Sequence, residues 1–261
     1  AEMDDDDPRV TMLRVDLSDW HSTEQLCDRL RDSGERIDAF VGNAGVAPPE
    51  SRRSAQQLDQ MFHVNVLANV QLAKRMLADG VIPNRTVAGN DEGVTDRPRM
   101  IFVSSDSHQG AGPIEVDKLG VWEDYGVRGS INRYSYYKLV LNTWANALAD
   151  TLVDDDGIDV AVHCTCPGPV ATNIHRDAPP VLKGILTATF KVIFASIEDG
   201  ARPLTLLCGE PTFEGRTKVY LHMLREKDMD PQCYDTEMGR QLIARFDEVL
   251  EQISDKSSET S

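Results

Sequence analysis

Residues 131–152 read INRYSYYKLVLNTWANALADTL. Leu139, Val140, Leu141, Trp144, Ala145, Leu148 and Leu152 recur at near-helical spacing, which predicts a helix with an apolar stripe. Residues four apart share a helix face, so the Tyr134 hydroxyl and the Lys138 ammonium can meet at one site. A free tyrosine has a pKa of about 10. A neighbouring ammonium favours phenolate, so Lys138 is expected to bring Tyr134 down toward the working range of a general acid/base. A Tyr and a Lys at this spacing also occur as ordinary polar residues of a helix. The functional reading therefore needs other residues that converge on the pair.

Upstream and downstream of this helix lie short apolar runs that end in small or polar residues. Val10 to Val15 reads as a strand, followed by Asp16-Leu17-Ser18-Asp19 and a helix capped by Ser22 or Thr23 that runs to about Ser33, with acids in its first turn. Ile37 to Val41 reads as a strand buried on both faces and ends in Gly42-Asn43-Ala44-Gly45, where small residues permit close approach. A long helix is predicted from about Ser54 to Asp79, with Leu58, Met61, Phe62, Asn65, Ala68, Leu72 and Met76 on its inner stripe. An amide at Asn65 must then be hydrogen-bonded or cost roughly 1–3 kcal/mol. Pro83 to Pro98 is a polar loop, and Met100 to Val103 is a buried strand ending in Ser104-Ser105.

Past the Tyr134 helix, Asp154 to Gly157 closes the helix and Ile158 to Cys164 is the next strand, followed by Pro167-Gly168-Pro169-Val170-Ala171-Thr172. Val181 to Ala195 is apolar apart from Lys183 and Lys191, and suits either an apolar pocket wall or a core helix. Ile197 to Cys208 reads as a helix, Lys218 to His222 as a strand and Glu237 to Ile253 as a helix. Residues 1–253 form one expected domain, and 254–261 a disordered tail. Buried strands alternating with helices predict an α/β fold, a doubly wound parallel sheet of Rossmann-like type. Ligands of such sheets bind beyond the carboxyl ends of the strands. Asn43 to Gly45, Ser104-Ser105 and Pro167-Gly168 all fall on that edge, and the Tyr134 helix follows one of them.

The 261 residues carry 27 basic and 43 acidic side chains, a net charge of −16, which disfavours nucleic acid and anionic membrane surfaces as partners. Five cysteines with no C-x-x-C pair suggest free thiols in a reducing compartment, with a cytoplasmic setting expected. The six histidines show no metal-ligand spacing. No apolar run reaches the roughly 18 residues that span a bilayer. Lys183 and Lys191 could face lipid headgroups, but the acidic surface argues mildly against membrane contact.

Taken in order, Asp16-Leu17, Asn43-Ala44-Gly45, Val64-Asn65-Val66, Val103-Ser104-Ser105, Tyr134 to Lys138, and Pro167-Gly168 with Val170 and Thr172 resemble the short-chain dehydrogenase/reductase family. The stretch HQGAGPIEVDKLG and the C-terminal helix resemble its retinol-dehydrogenase-like branch. The resemblance implies an NAD(P)-dependent oxidoreductase that interconverts an apolar carbonyl and its alcohol. Tyr134 would be the general acid/base, Ser105 rather than Ser104 would bind the substrate oxygen, and Lys138 would lower the Tyr134 pKa and hold the nicotinamide ribose. Asn65 would hold a relay water. Asn43, Ala44 and Gly45 would line the adenosine side, Asp16 would accept from the adenine amine, and Pro167, Gly168, Val170 and Thr172 would meet the nicotinamide. The family also admits a homodimer through the helices of Asn65 and Tyr134.

One family feature is absent from this sequence: the glycine-rich turn after the first strand that cradles the pyrophosphate. The sequence begins at what would be the third strand, so the fold is expected to lack the first two. Val10 to Val15 would then have no partner, and Ile37 to Val41 would become an edge. An incomplete sequence is the favoured explanation, with poor NAD(P) binding and no turnover expected of these 261 residues alone. The competing functional class is a non-catalytic binding protein or inactive fragment that keeps the site.

Overall fold

A computed structural model describes residues 9–89, 97–168 and 197–258. The central sheet has five strands in the order β1-β2-β5-β6-β7, formed by β1 (Ala39–Gly42), β2 (Arg99–Val103), β5 (Ala161–Cys166), β6 (Tyr220–His222) and β7 (Arg225–Glu226). The first four are parallel and β7 returns antiparallel to β6. A separate small hairpin pairs β3 (Val153–Asp154) with β4 (Gly157–Ile158).

Residue alternation in the strands sorts the core into two faces. Met100 and Phe102 of β2, Val162, Cys164 and Cys166 of β5 and Tyr220 of β6 join one buried cluster. That cluster also takes Cys27 from α1 (Trp20–Ser33), Val70 and Leu72 from α3 (Ala68–Ala78), Trp144 from α4 (Val127–Thr151) and Phe246 from the C-terminal helix. The intervening residues Ile101, Val219 and Leu221 face the other way and pack on Leu207 of α5 (Ile197–Gly209). Period-two side-chain direction thus buries both faces of one sheet, which makes it doubly wound.

Several boundaries differ from the sequence reading. Val10 to Val15 forms no strand, because a strand needs a hydrogen-bonded neighbour and no described segment pairs with it. The run at Ile37 to Val41 shifts to Ala39–Gly42 and, as expected, is an edge with Phe40 and Val41 only half-buried. Helix α1 is capped by Asp19, not Ser22 or Thr23, since its carboxylate accepts from the His21 amide, and its first turn holds no acid. Gly34 closes it at φ 68°, a left-handed conformation that glycine adopts at little cost.

The predicted helix from Ser54 starts later. Residues 54–58 make a tight turn in which the Ser54 amide donates to the Leu58 carbonyl, and Asp59 caps α2 (Gln60–Phe62) by accepting from the Phe62 amide. A π turn, His63–Leu67, links α2 to α3. The strand expected at Ile158 to Cys164 lies at Ala161–Cys166, because the β3–β4 hairpin occupies the chain before it. The strand expected at Lys218 to His222 lies at Tyr220–His222 and has an unforeseen partner in β7. The C-terminal helix α6 is Thr236–Ser258, so residues 254–258 of the expected tail continue the helix. Val170, Thr172 and the Val181 to Ala195 run lie outside the described residues.

All five cysteines are free. Among the described residues no helix is long and apolar enough to cross a membrane, and no three metal-ligating side chains cluster.

Candidate active site

The carboxyl ends of β1, β2 and β5 and the first half of α4 meet on one edge of the sheet. Tyr134 is half-buried on α4, and Ser105, just past β2, is the hydrogen-bonding side chain beside its hydroxyl. Lys138 lies one turn on and is only 2% exposed. Its Nζ donates to the Val103 carbonyl at 2.5 Å and sits 5.5 Å from the Tyr134 ring centroid. Three of the four expected catalytic side chains are thus brought together, and Ser105 rather than Ser104 takes the place beside Tyr134. Ser104 is buried at 2% exposure.

The electrostatics correct one expectation. Burial pushes the Tyr134 hydroxyl up to about 12, the neighbouring Cys166 adds to this, and the Ser105 hydrogen bond only partly opposes it. Lys138 does not bring Tyr134 down as the helix spacing suggested, because its ammonium points at the Val103 carbonyl and lies against the ring. Burial drives Lys138 itself down to about 8, against the opposing influence of the Cys164 and Cys166 thiols. In this state Tyr134 is a neutral proton donor at physiological pH.

Asn65 is fully buried within the π turn. Its amide is doubly bonded to one residue: Oδ1 accepts from the Val46 amide at 2.8 Å and Nδ2 donates to the Val46 carbonyl at 2.9 Å. Its own carbonyl accepts from Asn69 Nδ2 at 3.1 Å. The side chain therefore anchors the loop after β1. A π turn adds a residue to the helical cycle and re-aims side chains, and such turns recur at functional sites.

That loop presents Asn43, Ala44 and Gly45 to solvent. A Cβ added at Gly45 would come 3.5 Å from Asn65 Oδ1 and 3.8 Å from Lys138 Nζ, so the glycine leaves a slot beside the buried ammonium. At the end of β5, Pro167 and Gly168 lie on the same edge, with Gly168 at φ 77° and a Cβ there blocked by Met223 Cγ at 2.8 Å. Asp16 stands farther along, at the start of α1. Its Oδ1 accepts from the Ser18 side chain and amide, which hold its carboxyl below the usual carboxylate range. The slot at Gly45 beside the Lys138 donor fits a ribose of a dinucleotide, and the exposed backbone of 43–45 leads away from it. A cavity of about 510 Å³ between Leu58, Leu119, Trp122 and Val249 shares no residue with this site.

The sequence reading missed three participants. The backbone carbonyls of Val46 and Val103 carry no side-chain signal at all. His108 opens the stretch HQGAGPIEVDKLG, but nothing in that irregular connection marked its ring for a role.

A family model described as short chain dehydrogenase matches residues 1–87. Retinol dehydrogenase 14 of Homo sapiens is 24% identical over 235 residues, covering 89% of this chain and 64% of its own length. The short-chain dehydrogenase/reductase phmF of Phaeosphaeria nodorum is 28% identical over 204 residues, covering 75% and 56%. The chain spans between 56% and 67% of the length of such curated relatives. Among solved structures, an uncharacterised protein from Mycobacterium paratuberculosis superposes with a TM-score of 0.62 at 19% identity, covering 91% of this chain and 74% of that one. The Pseudomonas aeruginosa RhlG/NADP active-site complex gives 0.55 at 18% identity, covering 81% and 74%. At these identities the structural likenesses establish the fold.

Proposed function

We propose, for a chain that belongs to the short-chain dehydrogenase/reductase family on its retinol-dehydrogenase-like branch, that its site carries out NAD(P)-dependent interconversion of an apolar carbonyl and its alcohol. The observation that supports this most directly is Ser105 beside the Tyr134 hydroxyl, with buried Lys138 one helical turn on. When bound, the nicotinamide supplies or takes the hydride at the carbonyl carbon. Tyr134 gives a proton to the carbonyl oxygen in reduction, and Ser105 donates a hydrogen bond that orients that oxygen. Lys138 faces the Gly45 slot, where its ammonium would bond the ribose hydroxyls. Asn43, Ala44 and Gly45 line the path toward the adenosine, Asp16 accepts from the adenine amine, and Pro167 and Gly168 border the nicotinamide, the role that the family resemblance also gives to Val170 and Thr172. Asn65 holds the Val46 loop in register for all of these.

The five free thiols agree with a reducing, cytoplasmic setting, and the net charge of −16 with a small neutral substrate rather than a polyanion. The test is a reductase assay on the full-length protein with NADH and NADPH, offering decanal and all-trans-retinal as apolar carbonyls. The expected result is oxidation of one of the two cofactors, strictly dependent on carbonyl. If neither cofactor is consumed, and neither raises the melting temperature, the reading fails.

A further inference from the structure

His108 is fully buried and spends both ring nitrogens on backbone groups of two different segments. Its Nδ1 lies 2.7 Å from the Ser105 carbonyl, and its Nε2 lies 3.1 Å from the Asp230 amide nitrogen. A carbonyl can only accept and an amide N–H can only donate, so the pair of bonds specifies the neutral Nδ1–H tautomer. The partner segment is well held. Asp230 accepts from the Gly110 amide at 2.9 Å, Gln109 Nε2 donates to the Asp228 carbonyl at 3.0 Å, and Gln232 Nε2 donates to the Gly112 carbonyl at 3.1 Å. Asn146 of α4 then donates to the Cys233 carbonyl at 2.9 Å, tying the same segment to the Tyr134 helix. Ser105, residues 228–233 and α4 therefore form a closed chain of contacts, and His108 is the link that touches Ser105.

We propose that His108 is a positioning residue: as the neutral Nδ1–H imidazole it fixes the backbone of Ser105 so that the Ser105 hydroxyl stays beside Tyr134. This rests on the role given above to Ser105. The groups that face the ring are Asp106 and Asp230, the Lys227 ammonium and the Tyr220 ring, which meets it edge-on at 5.3 Å. A second ring proton would set an N–H against the Asp230 N–H and break the link. Burial also holds His108 below the usual imidazole range, although the Ser105 carbonyl, Asp106 and Asp230 oppose it.

The first measurement is a long-range proton–nitrogen correlation spectrum of histidine-labelled full-length protein between pH 8 and 5.5. His108 is expected to show a protonated Nδ1 and a bare Nε2 throughout. The Nε2–H tautomer, or titration with a midpoint near the ordinary value of about 6.5, overturns the proposal. The second measurement is kinetic, with NADPH and decanal. His108→Leu is expected to lower kcat roughly 100-fold, the scale of a small misplacement of a reacting group, with the KM for NADPH unchanged. His108→Asn, whose amide can still donate to the Ser105 carbonyl, should recover most of the loss. In a Ser105→Ala background, His108→Leu should cost nothing further. Losses that multiply would mean His108 acts elsewhere and would sink the inference. A wild-type protein that reduces neither decanal nor all-trans-retinal with NADPH or NADH overturns the reaction proposed above and not the clamp, which the tautomer spectrum decides by itself.

Discussion

The Tyr134 hydroxyl carries the proton in this scheme. Tyr134→Phe is expected to lower kcat by about 10²–10⁴ and leave the Kd for NADPH within a factor of a few. Near-wild-type turnover would move the role to another group. Lys138 sets the second expectation. With Tyr134 at about 12, the group that titrates nearest the working range is the Lys138 ammonium at about 8. The protonated form is the one that can hold ribose hydroxyls and stabilise negative charge, so kcat/KM for reduction should fall as pH rises through about 8. In Lys138→Met that limb should vanish and the cofactor Kd should rise. A pH–rate profile of the variant that keeps the limb would assign it to another residue. At this scale the sequence revealed which side chains meet, because helical spacing and strand-end position are local facts. The direction of the Tyr134 shift was not legible, because it depends on burial by distant segments.

The element that sets the geometry is the loop after β1, strapped to the π turn by Asn65. Gly42, the last residue of β1, explains how closely the two pack: a Cβ there would come 2.3 Å from Asn69 Oδ1 and 3.0 Å from Phe102 Cδ1. Asn69 cannot simply swing away, because its Nδ2 already donates to the Asn65 carbonyl. Gly42→Ala should therefore destabilise the protein by about 1–3 kcal/mol, the usual cost of overpacking, and loosen the Val46 loop. Urea denaturation read by fluorescence is the check, and an unchanged midpoint at unchanged slope would show that the packing gives way freely. Element types were readable from apolar runs and their small-residue ends. Boundaries failed where a competing local bond decided them. Asp59 rather than Ser54 starts the second helical region because its carboxylate reaches the Phe62 amide. The β6–β7 hairpin escaped notice because its strands are two and three residues long, and its turn residue Met223 adopts φ 55° without being glycine.

Across the whole molecule the burial of histidine shapes how stability responds to acid. His63 and His163 are 0% and 1% exposed, and burial pushes each down to about 4. An unfolded chain restores both to about 6.5. Between these values the unfolded state binds more protons than the folded one, so unfolding free energy rises with pH across this window. The stabilisation is complete above about 6.5 and is lost as pH falls toward about 4. At pH 5 each histidine should cost about 2 kcal/mol relative to pH 7, against a total of roughly 5–15 kcal/mol for an ordinary domain. His108, also depressed by burial, adds with the same sign. Asp59 works the other way, because burial raises its carboxyl despite the Phe62 amide and nearby Arg133. Two histidines outweigh one carboxyl whose ordinary range lies lower, so the net slope should be positive. None of this was visible in the sequence, where six scattered histidines showed no pattern. Only the fold reveals that His63 sits inside the π turn and that His163 meets the Phe213 ring edge-on. The check is urea denaturation at pH 7 and pH 5 for the wild type and for His63→Leu, a replacement that cannot take up a proton. The wild type should lose several kcal/mol and the variant about 2 kcal/mol less. Equal losses in the two proteins would remove His63 from the effect, and a wild type equally stable at both pH values would refute buried neutral histidine as the origin of acid sensitivity.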